Sequence, residues 1–152
     1  ADVRTELSEI PLIFCHGGQV NQVLLNILVN AAQAIKSQKR GDGDRGTITV
    51  RTRACESGVV CEIADDGPGI APEHLTKIFE PFFTTKAPGK GTGLGLSVSY
   101  DIIVHKHKGK LLVDSTVGHG TTFTIELPTG TRENDEQETM SDGTENRVVC
   151  GR

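Results

Sequence analysis

The stretch QVNQVLLNILVNAAQAIKS, residues 19–37, decides the fold. It carries no charge before Lys36 and neither Pro nor Gly. At about 100° per residue, Val20, Leu24, Ile27, Leu28, Ala31 and Ile35 fall on one apolar face of a helix. Leu25, Val29 and Ala32 extend that surface round most of the cylinder, so the helix is expected to be covered on most sides. The remaining side is a stripe of neutral amides: Gln19, Gln22, Asn26, Asn30 and Gln33. A solvated face normally carries Lys and Glu, and a buried amide without a partner costs about 1–3 kcal/mol. The stripe is expected to face a ligand or a hydrated metal ion, or else to form a satisfied amide ladder in the core. Five amides argue against a membrane span, which reads as about 20 predominantly apolar residues.

Upstream of the helix, residues 9–15 (EIPLIFC) read as a short strand or extended entry, with Pro11 favouring an edge. Residues 16–18 (HGG) form the turn into the helix. Downstream, the helix is expected to end near Lys39, before the Gly/Asp run GDGDRG at 41–46. Residues 47–53 (TITVRTR) alternate as a β-branched strand, Ser57-Gly58 turns the chain, and residues 59–64 return antiparallel. A short helix over 74–79 follows Pro72. Residues 80–91 form a loop, and a second long helix runs over 92–107, with Thr92 as its cap and Gly109 ending it. Two closing strands, 110–114 and 121–127, are joined by STVGHG, and Phe123, Ile125 and Leu127 share one face. This order predicts an α+β fold: a two-layer sandwich whose mixed, mostly antiparallel sheet packs on about three helices.

At 152 residues with a net charge of −4, a single domain with its own core is expected. The core is aliphatic, because there is no Trp and little aromatic content. Residues 129–152 hold six acidic residues against three arginines. That leaves 1–128 as a near-neutral domain and 129–152 as an acidic tail read as disordered. No basic stripe with aromatics supports nucleic-acid binding. Cys15, Cys55, Cys61 and Cys150 lack metal-ligand spacing, and a reduced cytosolic setting is expected. His105 and His107 project about 200° apart on a helix, which argues against a metal pair.

Two glycine clusters carry chemistry. Asp65-x-Gly67-x-Gly69 follows a strand; its glycines allow close backbone approach to a flat group, and its carboxylate can accept from an exocyclic amine. Gly89-Lys90-Gly91-Thr92-Gly93-Leu94-Gly95-Leu96 precedes a helix, where consecutive N–H groups can be aimed at an anion. Its Lys precedes the key glycines, so it is neither a GxxxxGK[ST] loop nor a dinucleotide fingerprint.

Taken in order, NQVLLNILVNAAQAI, DDGPGI, FEPFFTTK and GKGTGLGLSVS resemble the N, G1, F and G2 boxes of a sensor histidine kinase catalytic domain. HGTTFTIELP resembles the strand that closes it. The likeness covers residues 6–128, and FFTTK with GTGLGLSVSYDII resembles the nitrogen-regulation type in particular. The resemblance implies an ATP site between the two long helices, under a mobile lid. In it Asn30 would hold Mg²⁺ with Asn26 assisting, and Asp65 would read the adenine amine in a pocket shaped by Gly67 and Gly69. Thr122 would contact the adenine side through water. Gly91, Gly93, Leu94, Gly95 and Leu96 would set their backbone against the phosphates, with Lys86 and Lys90 as lid cations. Gln33, Ile70, Thr85 and Thr92 complete the implied cofactor-binding set.

The hydrolysing relatives carry a Glu one turn before the Mg²⁺ asparagine, whereas this chain has Asn26. An amide is no general base at neutral pH, so transfer of the γ-phosphoryl rather than hydrolysis is expected. The chain departs from many such kinases by having Gln33 in place of a Lys and Thr84-Thr85-Lys86 in place of an Arg near the end of the F box. Lys86 is therefore the expected γ-phosphate cation, and Asn26, Asn30 and Lys86 form the implied catalytic set. No H-E-x-x-x-P acceptor segment is present. The implied partners are a dimerisation domain bearing the acceptor His and, downstream, a response regulator. The implied location is cytoplasmic, alone or as the cytosolic part of a membrane-bound kinase, with no membrane contact by this segment. A Ser/Thr-directed kinase of the same fold and a nucleotide-binding module without transfer activity are the alternatives.

Overall fold

The computed structural model describes residues 1–86 and 91–130. Five strands form one mixed sheet in the order β1-β2-β3-β5-β4. These are β1 (Asp2–Leu7), β2 (Thr47–Cys55), β3 (Gly58–Asp65), β4 (Lys110–Thr116) and β5 (Gly120–Pro128). Only the β1–β2 pair is parallel; the other three pairs are antiparallel. The helices are α1 (Gly17–Ser37), the single turn α2 (Pro72–Leu75) and α3 (Gly95–Tyr100), which continues through π-type turns over Asp101–Lys106. This is the expected α+β sandwich.

Helix α1 forms the centre of the helical layer. Its buried residues Val20, Val23, Ile27, Ala31 and Ile35 recur at helical spacing and meet Ile48, Ile63, Phe123 and Ile125 of the sheet in one core. Each such fully buried aliphatic side chain stabilises the fold by about 1.5–3 kcal/mol. No side chain caps the start of α1; instead the His16 N–H donates to Nε2 of His107, at the far end of the second helical run (2.9 Å).

Four expectations are corrected. Helix α1 is not covered on most sides: Leu25 is 61% exposed, Val29 43%, and Ala32 is also exposed. A two-layer sandwich lays one sheet and one neighbouring helix against α1, and Leu25 and Val29 point away from both. The strand before α1 is residues 2–7, not 9–15. Residues 2–7 add to the edge of β2 in parallel, held by the Asp2 N–H to Gly46 O (2.8 Å) and the Arg51–Glu6 ion pair (2.6 Å). Residues 9–15 run without strand structure, and only Ile13 among them is buried.

The second helical run starts at Gly95 rather than at Thr92, and the helix after Pro72 is one turn rather than a run to residue 79. The acidic tail from residue 131, Cys150 included, and Lys90 lie outside the described residues. Among the described residues, no helix is long and apolar enough to cross a membrane.

The two faces of α1 predict unequal costs of truncation. Ile27→Ala removes a side chain with no exposure and should cost about 2–5 kcal/mol. Leu25→Ala should cost less than about 0.5 kcal/mol. Urea unfolding midpoints measure both, and equal losses would mean that the outer face of α1 is packed after all.

Candidate functional site

The amide stripe of α1 divides between two neighbours. Asn26 Nδ2 donates to Gly95 O (3.2 Å) and to Ser99 Oγ (3.3 Å) on α3. The hydroxyl of Ser99, which is fully buried, donates in turn to Gly95 O (2.7 Å). Asn26 thus fastens α3 to α1, with its NH₂ group turned to that helix. One turn on, Asn30 is half-buried and its Oδ1 accepts from Lys86 Nζ (3.4 Å). The same ammonium donates to Gln33 Oε1. Lys86 therefore crosses from the loop to α1 and sets a positive charge between two amide oxygens. Gln22 is exposed and Gln19 half-buried, at the edge of the stripe.

Asp65 ends β3 on the core side of the sheet and is buried. Its Oδ1 accepts from the Gly67 N–H (2.9 Å). Burial pushes the carboxyl above its ordinary range, and the nearby Asp66 adds to this. The N–H groups of Gly67 and Thr121 and the Arg40 guanidinium pull it back. A Cβ at Gly67 would lie 2.7 Å from Asp65 Oδ1 and 3.2 Å from the Ala34 Cβ, so glycine leaves that carboxylate free beside α1. Gly69 has φ +76, and a Cβ there would lie 2.3 Å from Thr116 O. The Ile70 N–H donates to Ser115 Oγ (2.8 Å), and that hydroxyl also meets Thr121 Oγ1 (2.9 Å). The DxGxG loop is thus tied down on the β4–β5 end of the sheet.

Thr122 of the expected set stands apart from Asp65. It pairs with Ala64, and strand alternation puts it on the face opposite Phe123 and Asp65. Thr121, paired with Asp65 and buried, stands on the site face instead. The signal was present in the sequence: Phe123, Ile125 and Leu127 point inward, so an inward threonine must have an odd number.

The glycine-rich stretch before α3 meets the phenylalanine-rich loop. The Phe82 N–H donates to Gly93 O (2.9 Å), and a Cβ on Gly93, at φ +68, would lie 2.3 Å from the Phe82 carbonyl carbon. Phe82 itself has φ 66, and its ring is 74% exposed. Thr92 Oγ1 accepts from the Leu94 N–H (3.3 Å). Gly91 sits against Thr84 and Lys86, whose N–H donates to Thr84 Oγ1 (3.1 Å). Gly95 lies against the Asn26 side chain, Leu96 packs on the core, and Thr85 is exposed. Asn26, Asn30, Gln33, Lys86, Gly91, Gly93 and Gly95 are therefore brought together at one end of the α1–α3 pair. Asp65, Gly67 and Gly69 lie at the sheet end nearby, where Gly67 meets Ala34 of α1. Among the described residues, no group of three or more His, Cys, Asp or Glu could hold a metal ion. A cation at this site would depend on amide oxygens and on its ligand.

Residues 16–131 match the family described as histidine kinase-, DNA gyrase B-, and HSP90-like ATPase. The chain is 42% identical over 128 residues to the sensor histidine kinase ZraS of Escherichia coli, a match covering 84% of this chain and 25% of that kinase. It also resembles the nucleotide-free catalytic domain of histidine kinase ThkA, with a TM-score of 0.70 and 33% identity, over 84% of this chain and 80% of that one. The full-length ShkA structure in complex with AMPPNP aligns at TM-score 0.70 and 29% identity, over 86% of this chain and 26% of that one. The chain spans a quarter or less of the length of the curated relatives it matches first.

The raised pKa of Asp65 fixes the sign of a stability effect. Its protonated form suits the fold best, so this contribution is present below the ordinary carboxylate value of 3.8 and is lost as pH rises through the raised folded value. Asp65→Asn should therefore unfold at higher urea concentration than the wild type at about pH 7, and the gain should shrink on acidification towards about pH 4. A gain that grows on acidification would contradict the burial reading.

Proposed function

The chain belongs to the histidine kinase-, DNA gyrase B- and HSP90-like ATPase family, and we propose that it is the ATP- and Mg²⁺-binding catalytic domain of a sensor histidine kinase. In this reading it passes the γ-phosphoryl group to a histidine on a separate dimerisation domain, and a response regulator takes the phosphoryl group onward. The observation that carries the reading is the state of Asn26. The position from which the hydrolysing relatives activate water holds an amide, and its NH₂ is committed to Gly95 O and Ser99 Oγ. Asn26 can neither take a proton from water nor readily leave α3. The site then works by positioning and charge neutralisation.

The residues present suit the ligand. Asn30 Oδ1 and Gln33 Oε1 already face a positive charge, the Lys86 ammonium, in the described structure. Oxygen donors of that kind fit Mg²⁺, which keeps several waters and takes the rest of its shell from a nucleotide. When bound, the ion would neutralise charge on the phosphate oxygens. Asn30 would hold the ion, and Lys86, released from Gln33, would meet the γ-phosphate. Gln33 thus stands in for the Lys found there in many such kinases, by holding a lysine from the loop. The backbone of 91–96 would face the phosphates, and Thr85 and Thr92 would lie on the lid side. Asp65 would accept from the adenine amine within the turn shaped by Gly67, Gly69 and Ile70, with Thr121 rather than Thr122 beside it.

Asn30→Ala should lower Mg-ATP affinity by at least about tenfold with little change in melting temperature. Unchanged affinity by calorimetry would remove the metal assignment. Mixing the chain with a matched dimerisation domain and γ-labelled ATP should label that domain on an acid-labile phosphohistidine. Acid-stable label would indicate a Ser/Thr kinase, and no label a nucleotide-binding module.

A further inference from the structure

The run that follows α1, KRGDGDRG at residues 39–46, has no part in the site so far, yet it carries an arginine with three side-chain hydrogen bonds. Arg40 has only 16% of its side chain exposed. Its Nη1 donates to Asp44 Oδ1 (3.1 Å), and its Nη2 donates to both Asp66 Oδ1 (2.7 Å) and the Asp66 backbone carbonyl. Asp66 is the residue after Asp65. Its Oδ1 also accepts from the Thr47 N–H (2.9 Å), and its own N–H donates to Thr47 O (3.2 Å). Asp44 in turn accepts from the Gly46 N–H (3.1 Å). Gly46, at φ +66, must be glycine, because a Cβ would lie 3.0 Å from the Arg40 Cζ and 2.5 Å from the Ile35 Cγ2. The guanidinium therefore joins three elements at one point: the exit of α1, the turn into β2 and Asp66 of the DxGxG loop.

We propose that Arg40 is a positioning residue of the nucleotide site, whose fork holds the Asp66–Gly67 peptide, the one whose N–H donates to Asp65 Oδ1, and so aims that carboxylate at the exocyclic amine of adenine. The proposal rests on the adenine-reading role of Asp65. A guanidinium suits this task better than an ammonium, because its planar donors reach the carbonyl and the carboxylate of Asp66 while a second arm holds Asp44. Arg40 also acts by charge. Asp65 is faced by Asp66, which disfavours its ionised form, and by Arg40, which favours it, with the N–H groups of Gly67 and Thr121 on the same side as Arg40. Loss of the arginine would leave Asp65 buried beside a like charge. A protonated Asp65 would offer a hydroxyl where an acceptor is needed.

The test compares ADP with inosine diphosphate, which lacks the exocyclic amine, by calorimetry on wild type, Arg40→Met, Arg40→Lys and Asp65→Asn across acid to neutral pH. Arg40→Met should cut the preference for ADP by about tenfold, the scale of one charged hydrogen bond. It should also move the acid limb of ADP affinity to higher pH relative to wild type on the same ligand. Arg40→Lys, which keeps the charge, should lose part of the preference with the limb in place, and it provides the reading if Arg40→Met does not fold. Equal losses for both nucleotides with an unmoved limb would make Arg40 a purely structural clamp and overturn the proposal. If Asp65→Asn keeps the wild-type preference, the adenine reading and the Arg40 proposal fall together. If Asp65→Asn abolishes the preference and the Arg40 variants do not alter it, only the Arg40 proposal falls.

Discussion

The bond from Asn26 Nδ2 to Gly95 O and Ser99 Oγ is the contact on which the rest of the site depends. It joins the middle of α1 to the first turn of α3, and those two helices form the walls of the proposed phosphate end. A carbonyl at a helix start already serves its own helix: Gly95 O takes the Ser99 hydroxyl as well as the Asn26 amide. With Ser99 fully buried, this is a closed polar network inside an apolar layer, where a missing partner would leave a desolvated group. An acidic side chain at position 26 would set a carboxylate against the Gly95 carbonyl oxygen. The position is shaped for a donor, which ties the architecture of the helix pair to the absence of a general base.

Asp65 and Lys86 are held by a different logic. The carboxylate is fixed by backbone N–H groups and glycine geometry from within the sheet layer. Lys86 is exposed and reaches its amide partners from a loop. In the proposed reading, the adenine end is therefore built rigidly and the phosphate end adjustably. That division suits a domain that must hold a nucleotide while its terminal phosphate is delivered elsewhere.

Much of this was legible in the chain. The limits of α1, the β2–β3 hairpin, the β4–β5 pair and the two glycine clusters follow from period, turn residues and flanking glycines. β1 was not legible. It lies at a parallel edge with all its residues exposed, so Val3 and Leu7 gave no core signal, and the richer apolar run at 9–15 outweighed them. The outer exposure of Leu25 and Val29 was hidden because composition does not tell which apolar arc of a helix meets the single sheet. The inward place of Thr121 beside Asp65 followed from strand alternation, which sets Thr122 on the other face. Arg40 carried no local signal, because its partners Asp44 and Asp66 converge only once β2 and β3 have paired.

The Phe82–Gly93 backbone pair has one more consequence. The N–H to O bond and the close packing of Gly93 on Phe82 clamp the chain at both ends of residues 83–92. The pair therefore fixes Phe82 and Gly93 against each other, two residues before α3 begins. The reach of Lys86 to Asn30 and Gln33 thus starts four residues from a pinned point of the backbone.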